Sequence, residues 1–71
     1  MADARFTPSS FGGGWLVPLS EEFLETYTRA FEEEPVPLEP LNGEVGWIVE
    51  PAALYDLLAD IRCDGFELLL A

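Results

Sequence analysis

Apolar side chains recur along this chain at two helical spacings, set between short runs of strand character, and that change of period sets the expected fold. In the first helical stretch Phe23, Leu24, Tyr27, Ala30 and Phe31 share one face, while Glu21, Glu22, Glu25, Arg29, Glu32 and Glu33 lie opposite. Ser20 offers a hydroxyl cap, Glu21 and Glu22 suit the positive end of the helix dipole, and Pro35 bars helical angles from the residue before it. A helix is therefore expected over residues 20–33. In the second stretch Leu54, Leu57, Leu58 and Ile61 stack on one side, with Asp56 and Asp60 on the other. Pro51 suits the first helical position and Gly65 the stop, so this helix is expected over residues 51–63.

Between and around the helices the pattern turns to strand. Residues 15–19 and 44–49 are the clearest cases, the second carrying Val45, Trp47, Ile48 and Val49. Residues 66–70 are expected to form a short closing strand. The stretch from Pro35 to Pro40 holds three prolines, which remove ladder donors, so it is at best extended or an edge, and Asn42-Gly43 suggests a tight turn after it. Residues 1–14 are expected to be an irregular or short-strand entry, with Gly12 to Gly14 as a flexible hinge. Gly14-Trp15-Leu16-Val17 echoes Gly46-Trp47-Ile48-Val49, each before a helix, which suggests two strand-helix units. The expected class is α+β: one domain spanning residues 1–71, with two helices packed on a small, mostly antiparallel sheet. A mostly helical packing is the alternative. Both tryptophans are expected in the core, and Cys63 as a buried or half-buried thiol.

Charge changes this picture from a generic small domain to a peculiar one. Fourteen Asp and Glu face three Arg, with no Lys and no His, for a formal charge of −11. A disordered acidic tail lacks large apolar residues, whereas this chain is 49% hydrophobic and 13% aromatic, so it should fold and carry its charge as a coat. Two unit charges about 4 Å apart in water repel by roughly 1 kcal/mol. A domain of this size has only about 4–10 kcal/mol of stability, at about 0.05–0.15 per residue. The coat therefore erodes folding and calls for an explanation. Solubility or life in high salt would supply one; a basic partner would supply another.

The same composition excludes several chemistries. Cys63 is the single cysteine, so no internal disulfide forms, and without His the usual zinc ligand sets are missing. No D-x-D-x-D-G loop gathers oxygen ligands, and no Walker lysine follows the triple glycine, so neither metal nor cofactor is expected. The carboxylates lie on expected solvent faces rather than in an apolar pocket that would raise a pKa, so no catalytic residue is assigned. Residues 1–10 lack the basic start and apolar run of a signal peptide, and no run approaches the 18 or more apolar residues of a membrane span. The expectation is a soluble, cytoplasmic protein. Phosphate backbones and anionic membranes would repel it, leaving a basic protein surface as the expected partner.

Candidate partner-binding residues follow from the acids: Glu21, Glu22, Glu25, Glu32, Glu33 and Glu34 from the first helix and its end, and Asp56, Asp60 and Asp64 from the second. The Glu32-Glu33-Glu34 run is the most telling, since it falls where the helix dipole disfavours negative charge by about 0.3–1 kcal/mol per residue. A solvated, frayed helix end is the bland reading of that run; a carboxylate cluster held for a partner's Arg and Lys is the functional one. Glu21, Glu25 and Glu32 are expected along one flank, at spacings in the range of the charges on duplex DNA, about one per 1.7 Å of axis.

A short, single-domain, Lys-free chain with acidic helices around an aromatic core resembles the small phage-encoded inhibitors that mimic DNA, including anti-CRISPR proteins directed at type I systems. The resemblance is one of composition and size and carries no motif. It implies a monomeric inhibitor, working without catalysis in the cytoplasm of a bacterial host, that blocks the DNA channel or PAM-reading surface of a Cascade complex. The alternative is a regulatory or immunity-type subunit docking through an apolar patch that includes Phe66, Leu68 and Leu70.

Overall fold

The computed structural model describes residues 1–39 and 43–70. Five strands and two helices follow one another as β1 (Ala4–Pro8), β2 (Gly14–Pro18), α1 (Glu21–Phe31), β3 (Val36–Glu39), β4 (Glu44–Val49), α2 (Pro51–Cys63) and β5 (Leu68–Leu70). The strands form one sheet in the order β3-β4-β2-β1-β5. Every pairing is antiparallel except β1 with β5. The α+β architecture expected from the pattern is thus the one found.

Strand directions explain the connectivity. β1 and β4 each run antiparallel to β2, so β4 is parallel to β1 and to β5, and α2 carries the chain across two strands to reach the far edge. In the same way α1 links β2 to β3 across β4. Crossovers of this kind put helices over a sheet face, and both helices here share one core with Ala4, Phe6, Leu16, Trp47 and Val49. Phe23 and Tyr27 from α1 and Leu57 and Ile61 from α2 complete it. Five aromatic rings knit the layers together. Phe23 stacks on Tyr27 with centroids 4.4 Å apart, Phe66 meets Phe23 edge-on at 5.1 Å, and Phe31 meets Trp47 edge-on at 5.1 Å.

The other sheet face has no helix over it. Alternation along the strands sends Arg5, Thr7, Trp15, Val17 and Ile48 there, in register across β1, β2 and β4. Arg5 reaches over β2 to pair with Glu44 of β4. That ion pair roofs Val17, which is buried although it points away from the helices.

Several expectations need correction. The entry segment takes the short-strand form of the two expected, as β1, and what was not expected is its place inside the sheet between β2 and β5, with only Ala4 and Phe6 facing the core. The triple glycine is no hinge. Gly13 is buried, and a Cβ there would overlap the carbonyl oxygen of Val49, so the residue is small because β4 passes against it. The echoed segments do open two strand-helix units, β2 with α1 and β4 with α2, but their side chains are not equivalent: β2 and β4 pair Leu16 with Trp47, leaving Trp15 half-buried on the open face while Trp47 enters the core. Correspondingly Leu16 is 0% exposed and its sequence counterpart Ile48 is 59% exposed. Ala30 is exposed because Phe31 turns onto Trp47 in the last turn of α1. Cys63 is exposed too, two positions and about 200° round the helix from buried Ile61. The closing strand is shorter than expected, because Phe66 leaves it for the aromatic core. The Asn42-Gly43 turn lies partly outside the described residues, at Asn42.

Candidate acidic interface

Ser20 opens α1 as its N-cap, its Oγ accepting from the Phe23 amide at 3.2 Å. Glu21 and Glu22 follow in the first turn and Glu25 one turn on, all exposed, where the helix dipole favours the first two. At the other end the helix closes on a Schellman turn: the Glu33 amide donates to the Thr28 carbonyl and the Glu32 amide to Arg29. Glu32 takes the left-handed position of that turn, at φ 55°, which glycine ordinarily fills. α2 closes in the same way, Phe66 donating to Ile61 and Gly65 to Arg62, with Gly65 at φ 82°. Two identical stops thus carry a glycine in one helix and a glutamate in the other.

This stop alters the expected acidic flank. α1 ends at Phe31, so Glu32 leaves the helical row and does not continue the line of Glu21 and Glu25. Glu32, Glu33 and Glu34 instead form a separate exposed group on the segment leading to β3. On α2, Asp56 and Asp60 are exposed four residues apart, and exposed Asp64 follows directly after the last turn. Helical rise separates such neighbours by about 6 Å, sparser than the 3.4 Å per charge along each DNA strand. A single row therefore underfills a phosphate track, and the two helices with the Glu32–Glu34 group must act together to approach its density.

Asp64 ties the two helices. The Tyr27 hydroxyl donates to its Oδ2 at 2.9 Å. Burial pushes the Tyr27 phenol well above its ordinary pKa, and the hydrogen bond to Asp64 together with the charges of Asp64 and Asp60 raises it further. The phenol is therefore a donor throughout the physiological range.

Cations leave this surface alone. Among the described residues the ion pairs are Arg5 with Glu44 and the Met1 amino group with Glu67, and neither engages any of the nine candidate carboxylates. Arg29, in the last turn of α1, pairs with none of Glu32, Glu33 and Glu34. No three His, Cys, Asp or Glu among the described residues draw close enough to hold a metal ion. Among the described residues no helix is long and apolar enough to cross a membrane.

The expected apolar patch is brought together: Phe66, Leu68 and Leu70 line one open cleft with Leu58 and Ile61, Phe66 and Leu68 half-buried and Leu70 at 69% exposure, while Leu69 points to the other sheet face. One acidic position escaped the pattern. Glu50 is the N-cap of α2 but makes no side-chain capping bond, and with Glu33 it borders a cleft over Phe31 and Trp47. Its only signal in the sequence is its place just before Pro51. Comparison with protein-family models, with curated proteins and with solved structures finds no match.

Proposed function

We propose that this chain is a non-catalytic inhibitor that mimics the charge of DNA and blocks a basic nucleic-acid-binding surface. A type I Cascade complex is the target implied by the resemblance to phage-encoded anti-CRISPR proteins. One observation carries the reading: nine exposed carboxylates stand on a folded frame and no cation of the described residues engages them. Glu32 adds to it. A charged residue replaces the glycine that its own turn favours, so local stability does not account for its presence. Arg and Lys that neutralise phosphates would accept such carboxylates, with fast and salt-sensitive association.

Competition tests this. The wild-type protein should displace duplex DNA from its basic target, with an affinity that falls as NaCl rises. Simultaneous, unweakened binding of DNA and this protein to the target would reject occlusion of a shared groove. Reversal of Glu32, Glu33 and Glu34 to Lys should abolish displacement in a folded variant. A second reading, a regulatory or immunity-type subunit that docks through an apolar patch including Phe66, Leu68 and Leu70, is favoured by the open cleft these three line; it predicts binding indifferent to salt with a negative heat-capacity change.

A further inference from the structure

The carboxyl end of α1 and the amino end of α2 do not meet, and between them a cleft of about 270 Å³ opens above β4. Its walls are apolar, with Phe31, Trp47, Ala53 and Leu57, and its border carries Glu33 and Glu50. The cleft is smaller than the roughly 300–1,000 Å³ of a pocket for a drug-sized ligand. It suits one long side chain. Deepening the proposed function and resting on it, we infer that this cleft is a receptor for a single arginine or lysine side chain of the basic partner.

Each part of the cleft matches a part of such a side chain. An aliphatic stem needs apolar walls to lie against, and Phe31, Ala53 and Leu57 provide them. Its charged head needs carboxylates, and Glu33 and Glu50 both line the cleft, Glu33 two residues past the end of α1 and Glu50 at the start of α2. Glu50 is uncommitted, since it caps α2 without using its side chain, and neither glutamate is in an ion pair among the described residues. The negative end of the α1 dipole and the positive end of the α2 dipole both face the cleft and offset each other, so the attraction for a cation rests on the two carboxylates. Trp47 is held in place by its indole N–H, which donates to the Glu33 carbonyl at 3.4 Å, and Phe31 packs edge-on against it. The floor of the site thus rests on the core residues Trp47 and Leu57, and an anionic side chain would meet both repelling carboxylates and apolar walls. Arginine fits better than lysine, because its planar head can donate to two carboxylates at once and packs on aromatic rings.

N-acetyl-arginine amide is the probe, titrated into the full chain and followed by the NMR signals of the Trp47 indole and the Phe31 ring, with N-acetyl-norleucine amide as the uncharged control. The expected result is saturable shifts of both with the arginine probe and none that saturate with norleucine. The Glu33→Gln/Glu50→Gln variant should bind at least threefold more weakly. Equal saturation by norleucine, unchanged affinity in that variant, or shifts confined to the helix-face acids would overturn the inference. Ala53→Leu, at an exposed helical position that tolerates leucine, fills the cleft and should weaken displacement of DNA from the basic target at least fivefold. Full displacement by a folded Ala53→Leu protein overturns the cleft's role and leaves charge mimicry standing. A wild-type protein that binds the arginine probe but never displaces DNA supports the cleft and defeats the mimicry.

Discussion

Glu32→Gly should stabilise this protein, and its magnitude can be worked from the two helix stops. A non-glycine residue in the left-handed region costs about 1–2 kcal/mol. A carboxylate at a helix carboxyl end costs a further ~0.3–1 kcal/mol at low salt. Against these, glycine loosens the unfolded chain by about 0.4–1 kcal/mol. The net gain is about 1 kcal/mol, which in a domain of 60–100 residues raises Tm by roughly 4–8 °C. Two companion variants separate the contributions. Glu32→Gln removes the charge but keeps the strained backbone, so its smaller gain should vanish in high salt. Gly65→Ala places a side chain at φ 82° in the matching stop of α2, where no atom lies within 4 Å of the new Cβ, so it should lower Tm through backbone strain alone. Thermal unfolding followed by circular dichroism, in low salt and in 0.5 M NaCl, reads all three. If Glu32→Gly leaves Tm unchanged or lower while Gly65→Ala behaves as described, Glu32 does not hold the left-handed position and the argument that local stability opposes it fails. Under the mimicry reading the same stabilised variant should bind its basic target less tightly.

Three further outcomes test the frame. Phe23→Ala empties a fully buried site between Tyr27 and Phe66 and should cost about 3–5 kcal/mol, most of the stability of the domain, as a collapse of the urea midpoint. Gly13→Ala should force β2 away from β4 at the Val49 carbonyl and destabilise more than Gly65→Ala; equal effects would show that the two strands do not approach so closely at this point. Tyr27 has a folded pKa raised above its unfolded value of 10.0, so its contribution is complete below pH 10 and is lost as pH climbs beyond it. Urea midpoints should therefore fall between pH 10 and 11.5, and Tyr27→Phe should remove that part of the fall.

Much of this architecture is legible in the residues, for reasons that stay local. α2 announces itself because Pro51 and Gly65 mark its ends and Leu57 and Ile61 keep helical spacing between them. β4 is equally plain, as an unbroken apolar run before a proline. What escaped depends on contacts distant in sequence. β1 carries only two core side chains, and its place inside the sheet comes from β5, more than sixty residues on. Gly13 looks flexible until Val49 is laid beside it. The exposure of the nine acids was readable from their faces, yet the departure of Glu32 from its row was not, because a Schellman turn built on glutamate has no composition signal. The cleft was invisible for the same reason as the core aromatics: Phe31 and Trp47 meet only after α1 has crossed β4.

The pairing of β1 with β5 has a consequence for how the molecule is born. Its earliest strand waits for its latest, with Ala4 beside Leu68 and the Asp3 carboxylate accepting the Glu67 amide. A nascent polypeptide still growing on the ribosome cannot seal this seam, so the last strand docks only after synthesis has passed residue 70, and until then β1 presents a naked, adhesive border. The dense negative charge that burdens the finished domain would at that stage hold neighbouring newborn copies apart.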